Sequence, residues 1–225
     1  SNKKLLKDFS SVCNVITLEN EFIDYHILEY IESLGKKVYP SSLTISMIQD
    51  KLIQKQVLKK NGIPLPAFEA VNHKRDFSLI AEKLGLPFVL KSRKMGYDGY
   101  GNALVRNKKE FDLAFQKLTH RHSKLLAEEF VNFSMELAVM TARTKKEITV
   151  YPVVQTVQKD HICHTVSAPA NVSKAILKKA ERIAVDSVKA VKGFGIYGIE
   201  LFLTRGGGLL VNEMAPRPHN SGHYT

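Results

Sequence analysis

Tryptophan is absent from this chain of 225 residues, cysteine occurs only twice, and no apolar run is long enough to span a bilayer. Two cysteines as far apart as Cys13 and Cys163 exclude a disulfide framework, and each sits in an apolar-rich segment where a reduced thiol packs as a small hydrophobe. Residues 1–10 lack the apolar stretch of a secretory signal, so the expected compartment is cytoplasmic. Internal repeats and low-complexity segments are missing too, as are the dinucleotide fingerprint and the P-loop spacing of glycines. His161, Cys163 and His164 do not make a metal site by themselves, because two imidazoles on one strand are ordinarily incidental.

Positive charge, in contrast, is in excess at +11. Its distribution argues against a nucleic-acid surface. Between residues 173 and 192, Lys174, Lys178, Lys179, Arg182, Lys189 and Lys192 fall outside the stripe of Ile176, Ala180, Ile183, Ala184, Val188 and Val191. That is the solvated side of an amphipathic helix, and it lacks the interleaved aromatics with which single strands are bound. A basic nucleic-acid-binding module is the remote alternative, and no membrane partner is implied.

Hydrophobic periodicity predicts an α+β chain in four parts. Residues 1–40 read as part of an α/β unit, with a strand over 12–18, a helix over 23–34 ending at Gly35, and a short strand into Pro40. Residues 41–67 read as one connecting helix to Lys60, stopped by Gly62 and followed by Pro64 and Pro66. Residues 68–130 form a small α+β subdomain with strands at 68–71, 88–91, 102–105 and 124–128 and helices at 76–84 and 108–118. In residues 131–225 strands at 135–143, 149–158 and 161–166, the long helix and a closing hairpin predict a mostly antiparallel sheet.

Three places carry chemistry. In the closing hairpin a four-residue loop from Arg205 to Gly208 sets Thr204 opposite Leu209, and counting back pairs Glu200 with Glu213. Cross-strand neighbours have Cβ atoms ~5 Å apart, so two carboxylates there repel unless a cation or a proton is shared. Oxygen ligands without a thiolate or imidazole suit Mg²⁺, which completes its shell with water and phosphate. The second place is an apolar strand ending at Lys91 and running into a loop with Gly96, Gly99 and Gly101, where the amine and backbone N–H groups can face anionic oxygen. The third is the strand exit Glu128-Glu129-Phe130-Val131, a hinge where free backbone groups can read a purine edge.

Together with Asn212-Glu213-Met214-Ala215-Pro216-Arg217-Pro218-His219-Asn220-Ser221-Gly222-His223 and Tyr97-Asp98-Gly99-Tyr100-Gly101, these segments resemble the ATP-grasp superfamily. Within it they are similar to the carboxyaminoimidazole ribonucleotide synthetases and the matching part of the fungal phosphoribosylaminoimidazole carboxylases. The resemblance implies an ATP-grasp fold of two α+β subdomains clasping ATP, preceded by the remnant of a pre-ATP-grasp domain. The chain is then expected to be a fragment, without the family's glycine-rich amino-terminal turn and carboxy-terminal domain.

It further implies Lys51 and Lys91 on the phosphates of ATP, Glu128, Glu129, Phe130 and Val131 along the adenine, Glu136 at the ribose, and Glu200 and Glu213 on Mg²⁺. Tyr97, Asp98, Arg217, His219 and Asn220, with Glu19 or Glu21, would surround the substrates bicarbonate and aminoimidazole ribonucleotide. Tyr100 stands where the family usually has arginine or lysine. The implied activity is an ATP-dependent carboxylation in purine biosynthesis by a homodimeric full-length enzyme. A neighbouring alternative is another ATP-grasp ligase joining a different acid and amine.

Overall fold

A computed structural model describes residues 2–94, 101–121, 124–159 and 162–225. An amino-terminal unit contains α1 (Lys3–Ser11), β1 (Val15–Ile16), α2 (Tyr25–Ser33) and β2 (Lys37–Val38), with β1 and β2 parallel. Its core is Ile16, Leu18, Leu28, Ile31 and Val38, joined by Ile45 from the next helix. The expected strand over 12–18 is only two residues, because Val12 and Cys13 close the end of an unforeseen helix, donating to Phe9 O at 3.4 Å and Ser10 O at 3.2 Å; Asn2 caps its start, accepting from Lys4 N at 3.0 Å and Leu5 N at 3.3 Å.

The single helix expected over 41–60 is two helices, α3 (Ser42–Ile48) and α4 (Lys51–Lys60). Asp50 makes the break. Its carboxylate caps α4 by accepting from Leu52 N at 3.0 Å, and it binds Arg93 through Nε at 2.9 Å and Nη2 at 2.7 Å. A negative charge at a helix N-terminus is favoured by the dipole, and here it also has a tertiary partner.

The small sheet has β3 (Phe68–Val71), β4 (Phe88–Ser92), β5 (Asn102–Val105) and β6 (Leu125–Glu129), in the order β3-β6-β4-β5 and antiparallel throughout. Helices α5 (Phe77–Leu84) and α6 (Lys108–Arg121) cover one face. Phe88, Leu90, Val105, Phe111, Leu125 and Ala127 fill the space between, with the Phe77 and Phe111 rings 5.4 Å apart. Side chains alternate across a strand, so Val89, Lys91, Leu126 and Glu128 must face the other way, toward the rest of the molecule.

The larger sheet is wholly antiparallel. It contains β7 (Phe133–Arg143), β8 (Ile148–Val150), β9 (Val154–Lys159), β10 (Ile162–Ser167), β11 (Gly195–Thr204) and β12 (Leu209–Ala215), ordered β10-β9-β7-β11-β12 with β8 beside β7. The strand expected over 149–158 is divided by Tyr151-Pro152-Val153. Proline has no N–H to give to a ladder, and Val153 O is instead taken by Ala170 N at 2.7 Å. Helix α7 (Lys174–Ala190) lays Ala180, Ile183, Ala184 and Val188 on this sheet, and Ile48, Leu58 and Ile63 join the same core from α3, α4 and the turn after it. Helix α4 therefore belongs by its packing to the larger sheet. Among the described residues no helix is long and apolar enough to cross a membrane.

Phe88 is 0% exposed, and replacing it by alanine leaves a void that the surrounding aromatic rings cannot fill without leaving their own contacts. Phe88→Ala is expected to cost about 3–5 kcal/mol of stability. The check is a fall in the urea midpoint at unchanged slope, and a loss under ~1 kcal/mol would contradict the packing described.

Candidate active site

The site forms where β4 and β6 of the small sheet meet α4 and the β11–β12 hairpin. Glu200 is paired with Glu213, as the sequence count has it, but by a different route. At the turn Leu203, not Thr204, faces Leu209, and the register runs one residue away from the expected one as far as Leu201 and Val211. A bulge at Asn212 then restores it. The reason for the shifted turn is local: Thr204 N and Oγ1 both reach Gly208 O, and Gly207 takes the left-handed backbone with φ of 78°. A bulge inserts one unpaired residue and re-aims the side chains around it. Asn212 consequently reaches Glu200 Oε2 with its Nδ2 at 3.2 Å and accepts from Lys91 Nζ at 3.3 Å.

Across the gap from Asn212 lies Glu128. Its carboxylate accepts from Lys55 Nζ at 2.7 Å through Oε1 and pairs with Lys91 Nζ at 2.8 Å through Oε2. Lys55 and Glu128 are each 2% exposed. Burial disfavours the ionised carboxylate, yet the two ammonium groups outweigh it and hold Glu128 below the ordinary carboxylate range. One carboxylate cannot fully serve two buried cations: burial pushes Lys55 down despite Glu128, whereas the attraction of Glu128, Glu213 and Glu200 outweighs burial at Lys91 and raises it. Lys51, the first residue of α4, pairs with Glu213, and this pairing overcomes burial to keep the Glu213 carboxyl low.

The acid pair separates two concavities. A cleft of about 440 Å³, open to solvent, is lined by Glu21, Gln49, Lys51, Arg93, Lys94 and Glu213 among others. A smaller depression of about 160 Å³ is lined by Glu136, Thr156, Glu200, Phe202 and Asn212. Glu136 is half-buried there, and burial followed by the nearby Glu200 charge pushes its carboxyl up to about 7. Phe202 stacks on Phe133 beside it, with centroids 4.7 Å apart and ring planes 8° from parallel.

The carboxy-terminal turn returns to the larger cleft. Arg217 Nε donates to Glu21 Oε2, joining this turn to the loop after β1. His219 Nε2 lies 3.4 Å from Glu200 Oε1, and its Nδ1 is 2.8 Å from Ser221 Oγ. His219 can sit so near the strand because Gly198 has no side chain; a Cβ there would stand 2.6 Å from His219 Cβ. Asn220 and Glu19 are exposed.

At the strand exit the two acids differ. Glu128 is buried between lysines, while Glu129 is exposed and accepts from Ala67 N at 3.2 Å. Phe130 is 45% exposed and Val131 half-buried. Tyr97, Asp98, Tyr100 and His161 lie outside the described residues. Among those that are described, no group of three or more histidines, cysteines, aspartates or glutamates could hold a metal ion, and His164 Nδ1 is 3.0 Å from Thr165 Oγ1.

Two ammonium groups stand beside paired carboxylates where the two sheets meet, charges suited to anionic oxygen. Residues 56–225 match the model of the ATP-grasp domain, and the chain belongs to the ATP-grasp family. The chain is 43% identical over 228 residues to the phosphoribosylaminoimidazole carboxylase of Ogataea methanolica, covering 100% of this chain and 42% of that protein. It is 42% identical over 217 residues to the N5-carboxyaminoimidazole ribonucleotide synthase of Synechococcus elongatus, covering 96% of this chain and 54% of that protein.

Among solved structures, the N5-carboxyaminoimidazole synthase of Aspergillus clavatus in complex with ADP and 5-aminoimidazole ribonucleotide superposes with a TM-score of 0.91 at 38% identity, covering 100% of this chain and 58% of that one. This chain therefore spans between two-fifths and three-fifths of the length of these relatives.

The Glu136 carboxyl titrates in the folded chain near 7, above its ordinary value of 4.5. Ionising it opposes folding, so its contribution is fully favourable below about pH 4.5 and is lost as pH rises through about 7. Relative to Glu136→Gln, the wild-type chain should lose urea resistance between about pH 4.5 and pH 7. A difference between the two midpoints that does not vary with pH would refute the shift.

Proposed function

We propose that this chain is the ATP-binding and acceptor-facing part of an enzyme that carboxylates 5-aminoimidazole ribonucleotide with bicarbonate at the expense of ATP. The observation that carries the reading is the Glu200–Glu213 pair, in register across a bulged hairpin, with Lys51 and Lys91 brought to it from two other elements. Identities of 42–43% to carboxylases and synthases of this reaction support the choice of substrates.

Glu200 and Glu213, with the Asn212 amide beside them, would hold magnesium. The fit rests on donor chemistry: carboxylate and amide oxygens without a thiolate suit a hard cation, and two carboxylates leave positions for water and phosphate. Magnesium, when bound, supplies charge neutralisation on the phosphoryl group being transferred. Lys51, now on Glu213, and Lys91, now shared by Glu128 and Asn212, are the cations that can turn to phosphate oxygens. Glu129, Phe130 and Val131 border the purine at the hinge, and Glu136 takes the ribose hydroxyls.

The reaction then runs in two displacements. A bicarbonate oxygen attacks the terminal phosphorus and ADP departs, giving carboxyphosphate; the ribonucleotide amine next attacks the carbonyl carbon, phosphate departs, and a proton leaves the nitrogen. Arg217 and His219 line the acceptor side, Glu21 fixing Arg217 and Ser221 orienting His219. Asn220, Tyr97 and Asp98 are assigned to the same side. Because the mixed anhydride hydrolyses easily, water must be kept from the cleft.

Phosphate release by the full-length protein, measured with bicarbonate and aminoimidazole ribonucleotide against other amines, tests the substrates; stimulation by the other amines alone would sink this assignment. Glu213→Gln is expected to lower magnesium-dependent ATP cleavage by a factor of ~100 or more, in the range seen when a charge-stabilising group is removed. Activity within a few-fold of wild type would rule out the carboxylate pair as the metal site.

A further inference from the structure

Strand β12 lies at the edge of the larger sheet, with β11 on one side and, among the described residues, no strand on the other. An edge leaves backbone donors and acceptors that something must cover. Along the stretch containing the bulge they are met from the 50–64 segment, chiefly by side chains. Val211 N donates to Pro64 O at 2.8 Å, and Asn212 O accepts from Lys55 Nζ at 3.1 Å. Met214 N donates to Gln54 Oε1 at 3.2 Å, and Met214 O accepts from Gln54 Nε2 at 2.9 Å. Gln54 thus presents its amide to Met214 as a neighbouring strand would present a peptide group. Its Nε2 also donates to Ile48 O at 3.2 Å, which fixes the amide orientation from behind.

Glu213 is the residue between these two grips. Its own carboxylate meets Lys51, and Lys51, Gln54 and Lys55 are spaced i, i+3 and i+4, so one face of α4 addresses the whole bulge. Gln54 is 3% exposed and Lys55 2%, in positions of the helix that would ordinarily be apolar. Burying an amide and an ammonium there costs free energy unless they are bonded: Gln54 uses both amide hydrogens and its oxygen, and Lys55 makes two bonds, one of them to a carboxylate. A bulge has no register of its own to resist sliding, because Asn212 is unpaired.

We propose that Gln54 and Lys55 are positioning residues for the metal-holding carboxylates: by gripping the backbone on either side of Glu213 they keep the bulge at Asn212, and hence Glu213 opposite Glu200. This rests on the metal role given to the pair above. Without the grip, sliding the bulge by one residue would set Asn212 opposite Glu200 and turn Glu213 away. Gln54 is the cleaner test, since Lys55 also neutralises Glu128.

The experiment is Mn²⁺ binding in the presence of ADP, followed by electron paramagnetic resonance on the full-length protein, with amide hydrogen exchange over residues 211–215. Gln54→Met removes both bonds to Met214 and the one to Ile48 at nearly constant volume, and Gln56→Met, on the exposed face of α4, is the control. Gln54→Met is expected to weaken Mn²⁺ binding by about tenfold or more, as outer-shell substitutions do, to speed exchange at Met214, and to leave the ADP affinity measured without metal unchanged. Gln54→Glu keeps an acceptor for Met214 N but sets a buried carboxylate oxygen against the Met214 and Ile48 carbonyls, so a weakening at least as large is expected.

Affinity within about twofold of wild type in either folded variant overturns the inference. So does rapid exchange of the Met214 amide in the wild-type protein, a measurement that needs no variant to fold. If Glu213→Gln itself binds Mn²⁺ normally, the metal assignment has failed instead, which separates the two ideas.

Discussion

The structure turns on a carboxylate, Glu128, buried between two lysines from different elements. Lys55 comes from α4, which packs on the larger sheet, and Lys91 from β4 of the small sheet. Asn212 adds β12 to the same knot, its carbonyl taking Lys55 and its side chain taking Lys91. Taking such ions out of water costs several kcal/mol each, and their attraction repays this only with good geometry and full hydrogen bonding. Isosteric apolar residues could pack the gap as well. What they could not do is fix where Lys91 and Asn212 stand relative to Glu200 and Glu213, and the knot does so for groups from two sheets at once.

Much of the architecture is legible in the sequence because its determinants are local. Strand β5 begins and ends where alternation puts it, and the inner face of α7 contains the residues its spacing selects. The errors have tertiary causes. The helix break at Asp50 could be read as a cap only by knowing that Arg93, in the loop after β4, would take the same carboxylate. At the closing hairpin two departures of one residue cancel: a turn closed by Thr204 and a bulge at Asn212 together return the pairing that a simple count assumes. The count therefore finds Glu213 but misses Asn212, whose approach to Glu200 and Lys91 exists only because of the bulge.

Lys55 and Gln54 are illegible in the sequence for a different reason. On the exposed face of a helix lysine and glutamine are the default, and only their place on the stripe shared with Leu58 distinguishes them. Polar residues on a buried stripe are the available signal, and it requires the helix boundaries to be right. The sequence places Glu128 at a strand exit along the adenine; its burial between lysines follows from β6 lying between β3 and β4 with α4 across its other face. Alternation along β6 separates the two acids, so Glu128 points inward while Glu129 reaches the backbone of Ala67.

Among the described residues, five cations near the acid pair already have an anion: Lys51 with Glu213, Lys91 and Lys55 with Glu128, Arg93 with Asp50, Arg217 with Glu21. Under the proposed reaction, phosphate oxygens and a divalent cation enter as new partners for groups whose desolvation has been met during folding. Lys51 occupies the carboxylate proposed to hold the metal, so turning Lys51 toward phosphate would free Glu213 for that role. Such an exchange avoids burying an unpaired charge at any stage, the step that would otherwise cost most in a closed cleft. It also demands that Glu213 stay in place while its partner changes, which is why a grip on the backbone, independent of the charges being exchanged, matters to this site.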